Sequence, residues 1–170
     1  MFLEIVIKTA IVHTLTYFVV GATAFTVFNY RATLEHPANN MRTADDPLVR
    51  AGVLFQPLRG IIFGIVLYLL RSVVFSAGWS GWLVAWAMFV GVGIIGTFAP
   101  AGGSVEGFIY LKSGGRSNWG GLVEICTQSF LLSFITWYWI VNPVTWLSWV
   151  LGVLFAAAIL FPAFGLLAKR

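Results

Sequence analysis

Five polar side chains in or beside the long apolar stretches of the sequence are the first candidates for chemistry. Gln56 and Arg59 begin one apolar run, and Glu124 lies about one turn into another, with Gln128 four residues later on the same helical face. An ionisable group inside a membrane span is costly and normally faces protein or water. We predict an ion pair between Arg59 and Glu124, with Glu106 as the competing acidic partner. Such a pair would either lock helices together or belong to a route for protons or ions.

Four polar residues of the first apolar stretch form a stripe along one helical face. Thr9, His13, Thr16 and Thr23 fall within about 80° of one another at 100° per residue. One interpretation is a threonine-rich helix seam in which His13 hydrogen-bonds a neighbouring helix. The other is the lining of a water-filled path. Haem ligation is not expected, because the only other histidine, His36, lies at the opposite end of this stretch.

The sequence lacks the residue sets that metal sites and common enzymes require. One cysteine, Cys126, cannot form an internal disulfide or a thiolate cluster. There is no HExxH motif, no GxSxG motif and no phosphate-binding loop. We therefore expect no catalytic activity, no metal and no cofactor. A serine protease built from His13 and Ser133 is a minor alternative.

Composition indicates that lipid, not water, surrounds most of the chain. Of its 170 residues 59% are hydrophobic and 9% are charged, with a mean hydropathy of +0.91, whereas a soluble domain carries about 25% charged residues. The net charge of +4 is spread along the chain, so we expect contact with anionic lipid headgroups and no nucleic-acid binding. The candidate lipid contacts are Arg42, Arg50, Lys112 and Arg116, with Arg59 as a further cation.

Stretches of about twenty apolar residues can cross a bilayer core of about 30 Å as helices. The predicted fold is an all-α integral membrane protein, a single transmembrane domain with a bundle of about five spans. A barrel is not expected, because no alternating polar pattern is present. The predicted spans cover residues 3–30, 54–75, 82–98, 121–141 and 146–167.

Basic residues in the connecting segments predict the orientation, because cytoplasmic loops retain an excess of Lys and Arg. With five spans all three basic segments fall on one side, which puts the N-terminus outside and the C-terminus in the cytoplasm. Most tryptophans then lie at the outer ends of the spans, as in an interfacial belt. The expected location is a bacterial inner (plasma) membrane. The basic segments hold Arg31, Arg42 and Arg50, then Lys112 and Arg116, then Lys169 and Arg170.

Small residues recur at four-residue spacing, which favours close helix contact. Gly60 and Gly64 form one such pair, and Gly152 and Ala156 form another. The sequence leaves open whether the partner helix belongs to this chain or to another. Asp46, which precedes a proline, predicts a capped helix start ahead of the second span.

Three functions fit these observations. The first is a non-catalytic subunit or scaffold that packs with itself or with a larger membrane complex. The second is a channel or carrier for an ion or small solute that uses the polar groups of the first, second and fourth spans. The third is a lipid-binding protein at the cytoplasmic interface. The expected partners are membrane lipids and either further copies of the chain or other membrane subunits.

Overall fold

The computed structural model describes residues 1–36, 41–111 and 119–167, and within these ranges the chain is helical and contains no strand. The predicted all-α class is therefore confirmed. Short 3₁₀ segments and one π-helical turn join or extend the α-helices of these ranges. The α-helices are α1 Phe2–Val27, α2 Tyr30–Glu35, α3 Pro47–Arg50, α4 Gln56–Leu69, α5 Arg71–Val74, α6 Gly81–Val90, α7 Val105–Tyr110, α8 Trp119–Val141 and α9 Thr145–Leu167.

Four helical segments of the described chain are long and apolar enough to cross a membrane. α8 also has 23 residues, but it is not among them, because Glu124, Gln128 and several hydroxyl side chains lower its hydropathy. The crossing of α8, the count of five spans and the orientation of the termini stay predictions. The four segments are Phe2–Val27, Gly52–Leu69, Gly78–Ile95 and Thr145–Leu167.

The second of these segments ends earlier than the apolar run predicts. α4 ends at Leu69, and the chain turns at Leu70 (φ −94°, ψ 12°) before α5. Arg71 satisfies this helix end, because its guanidinium donates to the carbonyl of Tyr68 at 3.0 Å and stacks on the Tyr68 ring at 4.4 Å. A basic side chain on the last carbonyls of a helix occupies acceptors that the helix itself leaves free.

The third segment changes its winding near its end. α6 passes into a π-helical turn, Gly91–Ile95, where the sequence predicts regular helix to residue 98. The amide of Gly96 closes this turn on the carbonyl of Gly91 at 2.7 Å. π-helical turns are rare and frequently mark functional sites.

α1 lies at the centre of the bundle. It packs most extensively against α4, then against α8 and α9, while α6 packs on α8. One buried cluster joins Ile5 of α1 to Leu67 of α4, and a second joins Val12 of α1 to Leu132 of α8 and Leu151 of α9. α1 therefore sets the positions of the side chains that the other helices carry.

Glycines make the contact between α1 and α4. A Cβ atom at Gly60 would lie 2.6 Å from the Cα of Ala10, and a Cβ atom at Gly64 would lie 2.7 Å from the Cα of Val6. Real Cβ atoms do not approach a backbone so closely, so these positions require glycine. Small residues at this spacing let helices pack tightly in membranes. The partner helix that the sequence left open is α1 of the same chain.

The tryptophans do not form a uniform exposed belt. Trp79 and Trp146 are exposed, but Trp137 and Trp139 are each only 3% exposed. The indole of Trp139 donates to the hydroxyl of Ser148 at 2.9 Å, and the ring of Trp137 packs on that of Trp79 with centroids 5.4 Å apart. The belt interpretation was wrong for these two residues, because both pack inside the bundle.

Candidate functional site

A polar cavity of about 390 Å³ lies between α1, α4, α8 and the third candidate span. Three helices contribute its polar walls, and the π-helical turn contributes two of the apolar residues. The polar lining residues are His13, Tyr17, Arg59, Glu124, Gln128 and Ser129; the others are Phe63, Phe89, Gly93, Ile94, Ile125 and Leu132.

Helical spacing brings the polar side chains together. His13 and Tyr17 are four residues apart on α1, and Glu124 and Gln128 are four residues apart on α8. Residues at this spacing share one helical face, so each helix presents a pair to the cavity. At Gly93 of the π-helical turn a Cβ atom would meet nothing within 4 Å, so this wall of the cavity is loosely filled.

A hydrogen bond to Gln56 holds His13 in place. The histidine is 1% exposed, and its Nε2 lies 3.1 Å from Oε1 of Gln56. The amide nitrogen of Gln56 donates to the carbonyl of Gly52 at 3.0 Å, which fixes the end of the amide that faces the ring. His13 therefore donates from Nε2, and its Nδ1 is an acceptor. Nδ1 is buried and has no hydrogen-bond partner among the described residues.

Arg59 supplies the positive charge of the cavity. Its guanidinium lies 5.4 Å from the centroid of the Phe63 ring, and that ring contacts His13 at 4.9 Å and Phe89 at 5.1 Å between centroids. A cation–π contact orients a guanidinium without neutralising it. Arg59 also interacts electrostatically with His13. The aromatic cluster thus places the cation on one wall of the cavity, and Arg59, which is exposed, forms no ion pair with another described residue.

Glu124 supplies the negative charge. Its Oε1 lies 3.6 Å from the position of a Cβ atom at Gly21 of α1, and its carboxylate interacts with the hydroxyl of Tyr30 in α2. Burial first, and the interaction with Glu124 second, raise the pKa of Tyr30. Tyr17 interacts electrostatically with both Glu124 and Arg59. Charges of both signs therefore face one cavity.

No family model, curated protein or solved structure matches this chain. Within the described ranges no three His, Cys, Asp or Glu side chains are grouped so that they could hold a metal ion. The polar cavity is the place where charged and hydrogen-bonding groups from several helices converge.

Arg59 and Glu124 share the cavity but do not form the predicted ion pair. Four ion pairs within 4 Å occur among the described residues, and none of them joins Arg59 to Glu124 or to Glu106. The guanidinium of Arg59 lies over the ring of Phe63, and the carboxylate of Glu124 interacts with Tyr30. Glu106 lies in α7 and does not line the cavity. Gln56 does not line the cavity but positions His13 through their hydrogen bond.

The residues of the predicted polar stripe of α1 differ in burial and in hydrogen-bond partners. Thr9 and Thr16 are buried, and their hydroxyls donate to carbonyls of their own helix at 2.6 Å and 3.1 Å. Thr23 is exposed and also donates to its own helix, at 2.8 Å. His13 is the member that hydrogen-bonds a side chain of another helix and lines the polar cavity. For Thr9 and His13 the seam interpretation fits, since both lie against α4.

The cations predicted to hold lipid headgroups are partly engaged within the chain. Arg42 donates to Asp46 at 2.9 Å, and Asp46 caps α3 as predicted, accepting from the amide of Leu48 at 2.8 Å. Arg42 first, and that amide second, hold the pKa of Asp46 below its usual value. Arg50 ends α3 and forms no ion pair with another described residue. Lys112 and Arg116 lie outside the described residues.

Three residues of the site were missed in the sequence. Tyr17 follows His13 by four residues, so the helical period that selected His13 could have found it. Ser129 lies beside Gln128 and differs little from any serine in a helix. The contact of Tyr30 with Glu124 depends on a turn at Asn29, which has a left-handed backbone (φ 50°, ψ 53°) that no periodic pattern reveals.

Proposed function

We propose that this protein is a helical membrane protein that binds a small polar solute in the polar cavity and acts as a channel or carrier. The observation that supports this most is that Arg59 and Glu124 face one cavity without pairing. Glu124 is half-buried, and Arg59, although it lines the cavity, is exposed; an ionisable group in a membrane-embedded bundle is costly and normally faces protein or water. A bundle that needed only to pack would be better served by apolar side chains, whereas a solute site requires convergent polar groups around a void.

Two further observations support a binding role. Nδ1 of His13 is a buried acceptor without a hydrogen-bond partner in the described part of the chain, and an unmade hydrogen bond of this kind costs about 1–3 kcal/mol. The π-helical turn forms part of the same cavity wall through Gly93 and Ile94, and such turns often accompany function. Both are costs to stability that a ligand could offset.

The proposal includes the predicted topology. α8 is the fourth of five spans, the N-terminus is outside, the C-terminus is in the cytoplasm, and the membrane is a bacterial inner (plasma) membrane. In this arrangement Glu124 and Gln128 face the cavity, which explains how a less apolar helix is accommodated in lipid. Accessibility of tags at the two ends tests this: both on one face of the membrane would exclude five spans.

Uptake into proteoliposomes tests the transport proposal. The probes are radiolabelled alanine, acetate, methylammonium and glycerol, which differ in charge and are of similar size. We expect uptake of at least one probe above that of protein-free liposomes, and a loss of about tenfold in Glu124→Gln, the scale of one charge-assisted hydrogen bond. Glu106→Gln is the matched control, since Glu106 does not line the cavity. Background uptake of all four probes would contradict the proposal.

A structural subunit is the second candidate, and α9 favours it. A Cβ atom at Gly152 would meet nothing within 4 Å, and only Leu151 and Ala158 of α9 are buried. The small-residue face of Gly152 and Ala156 is therefore open to a helix of another copy or another subunit. Extraction in mild detergent followed by mass measurement tests this. A strict monomer without a co-purifying protein would rule it out.

A further inference from the structure

The two charges of the polar cavity are fixed apart. Arg59 stacks on Phe63, and α4, which carries both, is locked onto α1 through Gly60. Glu124 is held against α1 by Tyr30 of α2. Each charge is thus positioned by a contact other than the opposite charge. A ligand that spans the gap would satisfy both charges without moving a helix.

The charges also define the chemistry of such a ligand. A guanidinium binds carboxylate or phosphate oxygens through parallel N–H donors. A carboxylate on another wall accepts hydrogen bonds from an ammonium group. Because Arg59 and Glu124 have opposite signs and both line the cavity, a ligand with one net charge would satisfy one of them and leave the other uncompensated.

We infer that the polar cavity binds a small zwitterion, with its anionic group on Arg59 and its cationic group on Glu124. This inference rests on the proposed function and specifies its solute. Apolar side chains that line the same cavity, including Phe89, Ile125 and Leu132, contact the carbon chain of the ligand. Gln128 and Ser129 provide hydrogen bonds beside the two charges.

The size of the cavity limits the ligand. At about 30 Å³ of liquid volume per water molecule, a cavity of about 390 Å³ holds about a dozen waters. A free amino acid or a similar solute fits this space. A whole phospholipid does not fit, although a zwitterionic headgroup does. The same chemistry can therefore come from a free solute or from a lipid headgroup, and the experiment must separate these sources.

Three matched probes test the inference on the purified protein. They are 4-aminobutyrate, butyrate and propylamine, which present both charges, the anion alone and the cation alone on similar carbon chains. Titration calorimetry in detergent measures the affinity of each. We expect 4-aminobutyrate to bind the wild type about tenfold or more tightly than either single-charge probe, the scale of one charge-assisted hydrogen bond. Glycine and β-alanine, with shorter charge separations, then measure the span of the site.

Substitution of one charge at a time sharpens the test. Arg59→Gln should bind propylamine in preference to butyrate, and Glu124→Gln should show the reverse preference, each with about a tenfold loss of 4-aminobutyrate affinity. Arg71→Gln and Glu106→Gln are the matched controls, since neither residue lines the cavity. A change of preference in opposite directions cannot arise from partial unfolding, which would weaken all probes alike.

The outcomes separate this inference from the proposed function. Equal affinity for butyrate and 4-aminobutyrate would overturn the zwitterion and leave a solute site. Uptake of a proteoliposome probe without any zwitterion binding would do the same. Absence of both binding and uptake would overturn both proposals.

A comparison of two lipids tests whether the zwitterion is a lipid headgroup or a free solute. Nanodiscs of phosphatidylethanolamine and of phosphatidylglycerol are compared by lipid analysis of the extracted protein. Retained phosphatidylethanolamine that is lost in Arg59→Gln supports the inference with a headgroup as the ligand. Equal retention of both lipids together with no binding of free zwitterions overturns it.

Discussion

The two sides of α1 are packed in opposite ways. Toward α4, Gly60 and Gly64 bring the backbones into contact at Ala10 and Val6 and leave no room for a side chain. Toward α8, the polar cavity keeps Glu124 apart from the cation of α4. The separation of Glu124 from Arg59 therefore does not result from loose packing throughout the bundle, since α1 packs against α4 without a gap.

His13 belongs to both sides. Its Cβ lies 3.2 Å from the position of a Cβ atom at Gly60, its ring donates to Gln56, and the same ring lines the cavity. The tight contact between α1 and α4 therefore positions the imidazole of His13 in the candidate site. A substitution of His13 affects both that contact and the cavity.

Gly60→Leu should have the largest effect, because it breaks the tight side of the comparison. The new side chain would collide with the backbone of Ala10, and overpacking of this kind costs about 1–3 kcal/mol or more. We expect a loss of at least about 3 kcal/mol in the free energy of unfolding, seen as a lower thermal midpoint in detergent. Gly152→Leu is the control, since that position is open. Equal losses in the two variants would contradict a special role for the seam.

His13→Ala should have the second largest effect, because it removes the residue that joins the two sides. The change leaves Oε1 of Gln56 without its donor and opens a cavity beside Phe63. We expect a loss of about 2–4 kcal/mol in the free energy of unfolding, measured by thermal melting in detergent. An unchanged midpoint would show that the bond to Gln56 does not hold the seam together.

Thr136→Val and Thr9→Val should change the stability of the protein in opposite directions. The hydroxyl of Thr136 on α8 is buried and has no hydrogen-bond partner within residues 1–36, 41–111 and 119–167, whereas that of Thr9 on the tight side donates to the carbonyl of Ile5 at 2.6 Å. We expect Thr136→Val to be neutral or to stabilise by about 1 kcal/mol, and Thr9→Val to destabilise by about the same amount. Thermal midpoints measure both. A cost at Thr136 as large as that at Thr9 would show that its hydroxyl is satisfied.

Asp46→Asn should have the smallest effect, since Asp46 lies outside both packed sides. Its lowered pKa means that its contacts with Arg42 and the amide of Leu48 are present above the ordinary aspartate pKa of about 4. They are lost as the pH falls through the lowered value. The chemical shift of the Leu48 amide should follow this titration in the wild type and stay flat in Asp46→Asn. Identical pH profiles would rule out the cap contact in solution.

The sequence predicted much of the fold and part of the site. The length of the apolar runs predicted the helices, and the four-residue spacing of Gly60 and Gly64 predicted a tight helix contact, since both features follow from local pattern. The sequence also indicated Arg59, Glu124 and His13 as site residues, because polar residues in apolar runs are conspicuous.

Other parts of the molecule could not be predicted from local pattern. The contact of Tyr30 with Glu124 arises from tertiary packing. The contact of Arg59 with Phe63 is an i,i+4 pair within α4, which helical spacing could have indicated. The break at Leu70 precedes two polar residues, Arg71 and Ser72, but neither is a helix breaker, so the sequence around it does not predict a turn.

The turn Gly91–Ile95 at the end of α6 holds one residue more per hydrogen-bonded turn than an α-helix does. Rewinding it to α-helical form would rotate the chain that follows by about 100° and advance it by about 1.5 Å relative to α6. Gly91 and Gly93, which have open space at their Cβ positions, present no side chain to oppose this rewinding. The segment leading to α7 can therefore change direction while α6 keeps its place.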